Sequence, residues 1–150
     1  MGVLGFSQGG KQAAGLLADV QDGSETGLPR WAFGVLLCAS HPPLSMEFAR
    51  KEARGDGWTG ETDGHGEVRE VEEGGVIRVP SIHVRGTLDP HLEKGRRLEK
   101  FFDAGSMVGM EFVMGHHLPG AAGDTTSDKG DTDRIRDAIL QAYEGRVSKG

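Results

Sequence analysis

The sequence predicts an α/β fold with a parallel sheet. Three observations predict it: apolar runs of strand length recur along the chain, segments with helical apolar spacing separate them, and Gly or Pro punctuates the joins. Gly2 to Phe6 (GVLGF) reads as a short apolar strand and Ser7-Gln8-Gly9-Gly10 as a tight turn. Lys11 to Val20 reads as a helix, because Ala13, Leu16, Leu17 and Val20 recur at helical intervals. Trp31 to Ala39 (WAFGVLLCA) is a nearly unbroken apolar run between Pro29 and His41-Pro42-Pro43, the pattern of a strand covered on both faces. Val79 to Arg85 (VPSIHVR), closed by Gly86, reads as a third strand. His91 to Asp103 follows as an amphipathic helix with Leu92, Leu98, Phe101 and Phe102 facing inward, and Met107 to Met114 as a fourth strand. A last helix from about Thr132 to Arg146 carries Ile135, Ile139, Ala142 and Tyr143 on one side, with Asp131 and Asp133 near an N-terminus that favours negative charge.

Two segments stand outside this alternation. Lys51 to Gly75 holds 8 acidic residues, 3 basic ones and 7 Gly, so most of the formal net charge of −6 sits there. It reads as a solvated, acidic, Gly-rich insertion. Gly120 to Asp131 is a Gly, Thr and Asp loop. The 150 residues suffice for one domain, and 25 Gly foretell many turns.

Charge and composition exclude several classes. An acidic chain with no basic cluster has no electrostatic reason to bind nucleic acid or an anionic membrane. No apolar run reaches the roughly 18 residues of a membrane span, and the N-terminus lacks the charged start of a signal peptide. A lone Cys38 rules out an internal disulfide or a multi-cysteine zinc site and fits a reducing compartment, so the expected location is cytoplasmic. Cys38 itself reads as a small buried hydrophobe, and His83 as a satisfied strand residue.

Gly5-Phe6-Ser7-Gln8-Gly9 matches G-x-S-x-G, in which a serine sits on a strained turn between strand and helix and the glycines allow a close backbone approach. In so Gly-rich a chain roughly 0.2 such matches arise by composition alone, so the strand before and the helix after carry the weight. A serine nucleophile needs a base and an acid that orients the base. Asp89 follows the third strand in Gly86-Thr87-Leu88-Asp89-Pro90, and His116 follows the fourth in Gly115-His116-His117-Leu118-Pro119. That is the order Ser, Asp, His at successive strand ends.

GVLGFSQGG, WAFGVLLCAS with its His-Pro-Pro, VPSIHVRGTLD and GHHLP together resemble the serine hydrolase family (FSH type) of the α/β-hydrolase superfamily, from Gly2 to about Pro119. The resemblance implies a partial α/β-hydrolase fold, a parallel sheet with flanking helices, as a single incomplete domain over residues 1–150. It implies Ser7 as nucleophile, Asp89 as orienting acid and His116 as base, with His117 the fallback, Gln8 N–H in the oxyanion hole and no cofactor. Fungal members include esterases and thioesterases that release polyketide products, so a small-molecule ester or thioester is the implied substrate, cleaved through an acyl-serine. Members carry strands before the elbow, and these are missing here. One of them supplies the second oxyanion donor, whose loss costs about 2.7 to 4 kcal/mol of transition-state stabilisation. The first strand would then present a bare edge, which invites self-association. Members also carry a second histidine and a double glycine where this chain has Phe112, Met114 and a single Gly115.

Two other readings stand beside the enzyme: a catalytically impaired hydrolase fragment or non-catalytic binding module, and a nucleotide binder. Gly5 to Lys11 also fits the phosphate loop G-x-x-x-x-G-K, but Gln12 stands where that loop needs a Ser or Thr for Mg²⁺.

Overall fold

The structure, a computed structural model, describes residues 1–21, 30–41, 43, 77–120 and 129–147. Four strands form one sheet in the order β1 (Gly2–Phe6), β2 (Phe33–Leu37), β3 (Ser81–Gly86) and β4 (Met107–Phe112). Every pairing is parallel. Among the described residues three helices flank it: α1 (Gln8–Gln21), α2 (Leu92–Glu99) and α3 (Lys129–Val147). This is a partial α/β-hydrolase architecture. The acidic insertion and residues 121–128 of the loop before α3 lie outside the described residues.

Alternation along the strands builds two cores. On one face Leu36 meets Ala13, Ala14 and Leu17 of α1 and Leu98 of α2, with Phe101 and Phe102 beyond it. On the other, Val35, Leu37, Ile82, Val84 and Phe112 receive Ile135, Ala138, Ile139 and Ala142 of α3. Strand β3 is apolar on the α3 side only. Its other face carries Ser81, His83 and Arg85, where His83 shares a 3.1 Å hydrogen bond with Ser81 and packs edge-on against Phe102 at 4.5 Å. Burial, and then the Arg85 charge, push His83 down to about 3. Its 3.9 Å approach to Glu99 is therefore no ion pair at neutral pH. Arg85 instead pairs with Glu99, whose acidity burial lowers, and reaches Glu111 at 3.4 Å.

Strands β2 and β4 and helix α2 are shorter than the apolar runs suggest, whereas α1 and α3 are longer. The run from Trp31 to Ala39 yields a strand of five residues, since Cys38 turns out of extended conformation at φ 45. The helix expected over His91 to Asp103 ends at Glu99, because Phe102 leaves it to bridge Ile77. The last strand stops at Phe112, although Met114 beyond it is fully buried. Tyr143, expected inward, is 54% exposed, and Ala138 takes a place in the core instead. Among the described residues no helix is long and apolar enough to cross a membrane.

Candidate active site

The site grows from the carboxyl ends of β1, β3 and β4, where a parallel sheet gathers its loops. Ser7 follows β1 directly, with a left-handed φ of 52 that is costly for a residue bearing a Cβ. Three backbone bonds hold it there. Its N–H donates to Leu37 O at 3.0 Å, and its carbonyl accepts from Gly10 N at 3.0 Å and Ser40 N at 3.3 Å. The turn is thus one residue long, and Gln8 to Gly10 already belong to α1.

Close backbone approach demands glycine at one motif position and not at the other. A Cβ on Gly5 would lie 2.3 Å from Gly9 O, so the close approach forbids a side chain there. A Cβ on Gly9 would meet nothing within 4 Å. The second tight glycine is Gly10, whose Cβ would fall 2.3 Å from that of Ala39.

Beyond β3 and β4 the parallel ladder continues into the loops. Thr87 N donates to Phe112 O at 2.9 Å and Leu88 N to Met114 O at 3.0 Å. Gly86 lets the strands come this close, since a Cβ there would sit 2.3 Å from Met114 O. The two loop ends are stitched together, and this brings Asp89 to His116. Asp89 Oδ1 accepts His91 N–H at 2.7 Å, an Asx turn closed by the residue after Pro90. Asp89 Oδ2 lies 2.7 Å from His116 Nδ1, and His116 Nε2 lies 2.8 Å from Ser7 Oγ. With Asp89 ionised, the network assigns the proton to Nδ1, leaving Nε2 to accept from the serine hydroxyl.

The surroundings favour that arrangement. Burial alone would raise the Asp89 carboxyl, but the His116 ring, the His91 N–H, the His116 charge and the Cys38 thiol together bring it below the usual range. The Asp89 side chain is 3% exposed and that of His116 27%, so the acid is sealed while the base reaches solvent. Phe6 packs against the His116 ring at 5.2 Å and His91 meets it edge-on at 5.4 Å. His117 is otherwise engaged: its Nε2 accepts Gly115 N–H at 3.2 Å, and its Nδ1 lies 3.2 Å from Leu118 O. Gln8, first residue of α1, presents an N–H with no intrahelical acceptor beside Ser7.

Cys38, read from the sequence as a small buried hydrophobe, is buried in the core and also lies beside these side chains. Among the described residues, Cys38 Sγ, an Asp89 carboxylate oxygen and a His116 ring nitrogen form a cluster within 4.8 Å. That donor set would suit a soft cation. Here Asp89 and His116 are committed to each other, with Nδ1 already facing the carboxylate at 2.7 Å, while Cys38 Sγ is placed to donate to Gly115 O or His117 O. Proximity across 51 positions leaves no trace in spacing.

Comparison with known proteins adds a lineage. The serine hydrolase (FSH1) family matches over residues 1–127. Among curated relatives, esterase pigG of Monascus ruber is 34% identical, covering 79% of this chain and 48% of the relative. Thioesterase FSL2 of Gibberella zeae is 26% identical over 96% of this chain and 51% of the relative. Esterase FUS5 of Gibberella moniliformis is 29% identical over 95% and 46%. The chain spans about half the length of these relatives. No solved structure matches.

Proposed function

The chain belongs to the serine hydrolase (FSH1) family, and from that premise we propose that it cleaves a small-molecule carboxylic ester or thioester through an acyl-serine intermediate. The single observation that supports this most is His116, bridging Ser7 Oγ at 2.8 Å and Asp89 Oδ2 at 2.7 Å. In this reading Ser7 Oγ attacks the substrate carbonyl while His116 Nε2 takes its proton. Asp89 keeps Nδ1 protonated, and its charge stabilises the imidazolium that forms. The carbonyl oxygen, now anionic, accepts from Gln8 N–H at the start of α1. His116 returns the proton to the departing alcohol or thiol, and a water repeats the cycle on the acyl-serine.

The relatives' names, esterase and thioesterase, agree with acyl transfer, and no cofactor enters the sequence of steps. An acyl thioester is the substrate class to try first beside an oxygen ester, as befits a thioesterase-like role in secondary metabolism. The competing phosphate-loop reading has lost ground, because a left-handed Ser7 aims its hydroxyl at an imidazole instead of leaving the loop free for phosphate.

Hydrolysis of p-nitrophenyl acetate and of an acyl thioester by the purified chain, against Ser7→Ala, tests the reading. Turnover above buffer that vanishes in the variant is the expected outcome. Equal rates for both proteins would sink it and leave the binding-module reading.

A further inference from the structure

The residue that follows β2 does not behave as a plain core residue. Cys38 has φ 45, a left-handed conformation that residues with a Cβ adopt at a cost of about 1 to 3 kcal/mol. It is nonetheless held firmly, its N–H donating to Val84 O at 2.8 Å. The turn carries the side chain onto the α3 side of the sheet, 3% exposed, among Leu37, Val84 and Met114. There the thiol sits beneath the loops that deliver Asp89 and His116.

A thiol has one proton to give, and several oxygens surround it. Sγ is placed to donate to Gly115 O at 3.9 Å or to His117 O at 3.8 Å, and it also lies within 4.8 Å of an Asp89 carboxylate oxygen. Only the carboxylate is anionic, so it is the strongest acceptor of the three. Asp89 already takes one donor on each oxygen, His91 N–H on Oδ1 and the His116 ring on Oδ2. Each further donor narrows the rotamers open to the carboxylate. Burial first, and then the Asp89 charge, push the thiol up to about 11, so it stays protonated at neutral pH and is a donor instead of a nucleophile.

We propose that Cys38 is a positioning residue of the hydrolase site, its S–H donating to Asp89 and holding that carboxylate against His116 Nδ1. The proposal rests on the hydrolase reading for its consequence in rate, but the hydrogen bond stands independently of it. The expected loss on removing the donor is about 5- to 30-fold in the rate at which Ser7 is acylated, the factor expected of one modest hydrogen bond.

The chain's only cysteine makes the bond directly observable. The infrared S–H stretch of the unmodified protein reports Cys38 alone and needs no catalysis. A band below that of a free thiol, which moves on Asp89→Asn, is expected. A band at the free-thiol position, or one indifferent to Asp89→Asn, overturns the proposal even if Ser7 proves reactive. The kinetic arm compares fluorophosphonate labelling of Cys38→Ala with that of Cys38→Ser, which keeps a donor on the same backbone. Slower labelling in the alanine variant with recovery in the serine variant supports a positioning role. Equal rates in both, whether normal or slowed, contradict it. Should the unmodified protein fail to label, the hydrolase reading falls while the infrared result still decides the bond.

Discussion

Two adjacent imidazoles, His116 and His117, have different partners, and that difference makes the base assignment testable. Only His116 reaches Ser7 and Asp89, whereas His117 braces its own loop through Gly115 N–H. Replacing His116 by Ala is expected to slow fluorophosphonate labelling by at least about 10³-fold, and Asp89→Asn by about 10⁴-fold through the wrong tautomer. His117→Ala should stay within a few-fold of the parent, and the reverse ranking would move the base one residue along. A second expectation concerns His83, which is held neutral with its folded value about 3 against an ordinary 6.5. As pH falls below 6.5 the unfolded chain takes up this proton and the folded chain does not. Stability present above pH 6.5 is therefore lost toward pH 3, on the order of 1.4 kcal/mol per unit from this group. His41, lowered chiefly by burial, adds in the same direction. Melting temperatures at pH 7 and pH 5 should differ less in His83→Gln than in the parent, and an unchanged difference would contradict the account. That Ser7, Asp89 and His116 come together was legible because each follows a strand in a readable pattern, while the nearness of Cys38 to Asp89 was not, since the two lie in different loops.

At the scale of elements, the strand–turn–helix unit around Ser7 shows what a sequence motif conveys and what it leaves out. Alternating apolar runs located the four strands and three helices of the described residues. Their ends were less legible, since they depend on tertiary contacts: the bridge from Ile77 to Phe102 cuts α2 short, and the turn at Cys38 ends β2. The polar face of β3 shows in Ser81, His83 and Arg85, but their partners Glu99 and Glu111 come from other elements. The motif also assigned the second close approach to Gly9, where Gly10 makes it. Alanine at Gly5 or Gly10 must displace backbone or the Ala39 side chain, at a cost of about 1 to 3 kcal/mol. Alanine at Gly9 meets open space within a helix and should be neutral or stabilise by about 0.5 to 1 kcal/mol. Denaturation midpoints of the three variants check the ranking, and a destabilised Gly9→Ala would contradict it.

For the whole molecule, the sheet is covered unevenly. α1 lies over β1 and β2, while α3 lies over β2 and β3, so Leu4 on the uncovered side of β1 is 62% exposed. Parallel strands are ordinarily buried on both faces, and an edge strand with an apolar face invites association. The apparent mass in sedimentation should therefore rise with concentration and fall back in Leu4→Lys. A monomer at every concentration would contradict this. The fold class followed from alternation, and the family match accords with it over residues 1–127, whereas the order of strands in the sheet came from the structure. Substrate choice was not legible, because the segment between β2 and β3 has no periodic pattern. The central claim is that β1, β3 and β4 deliver one reactive serine to one imidazole and one acid. Peptide mapping of the folded protein after a fluorophosphonate tests it most directly. The account predicts a single adduct on Ser7 that disappears in His116→Ala, whereas no adduct, or one indifferent to His116, would contradict it.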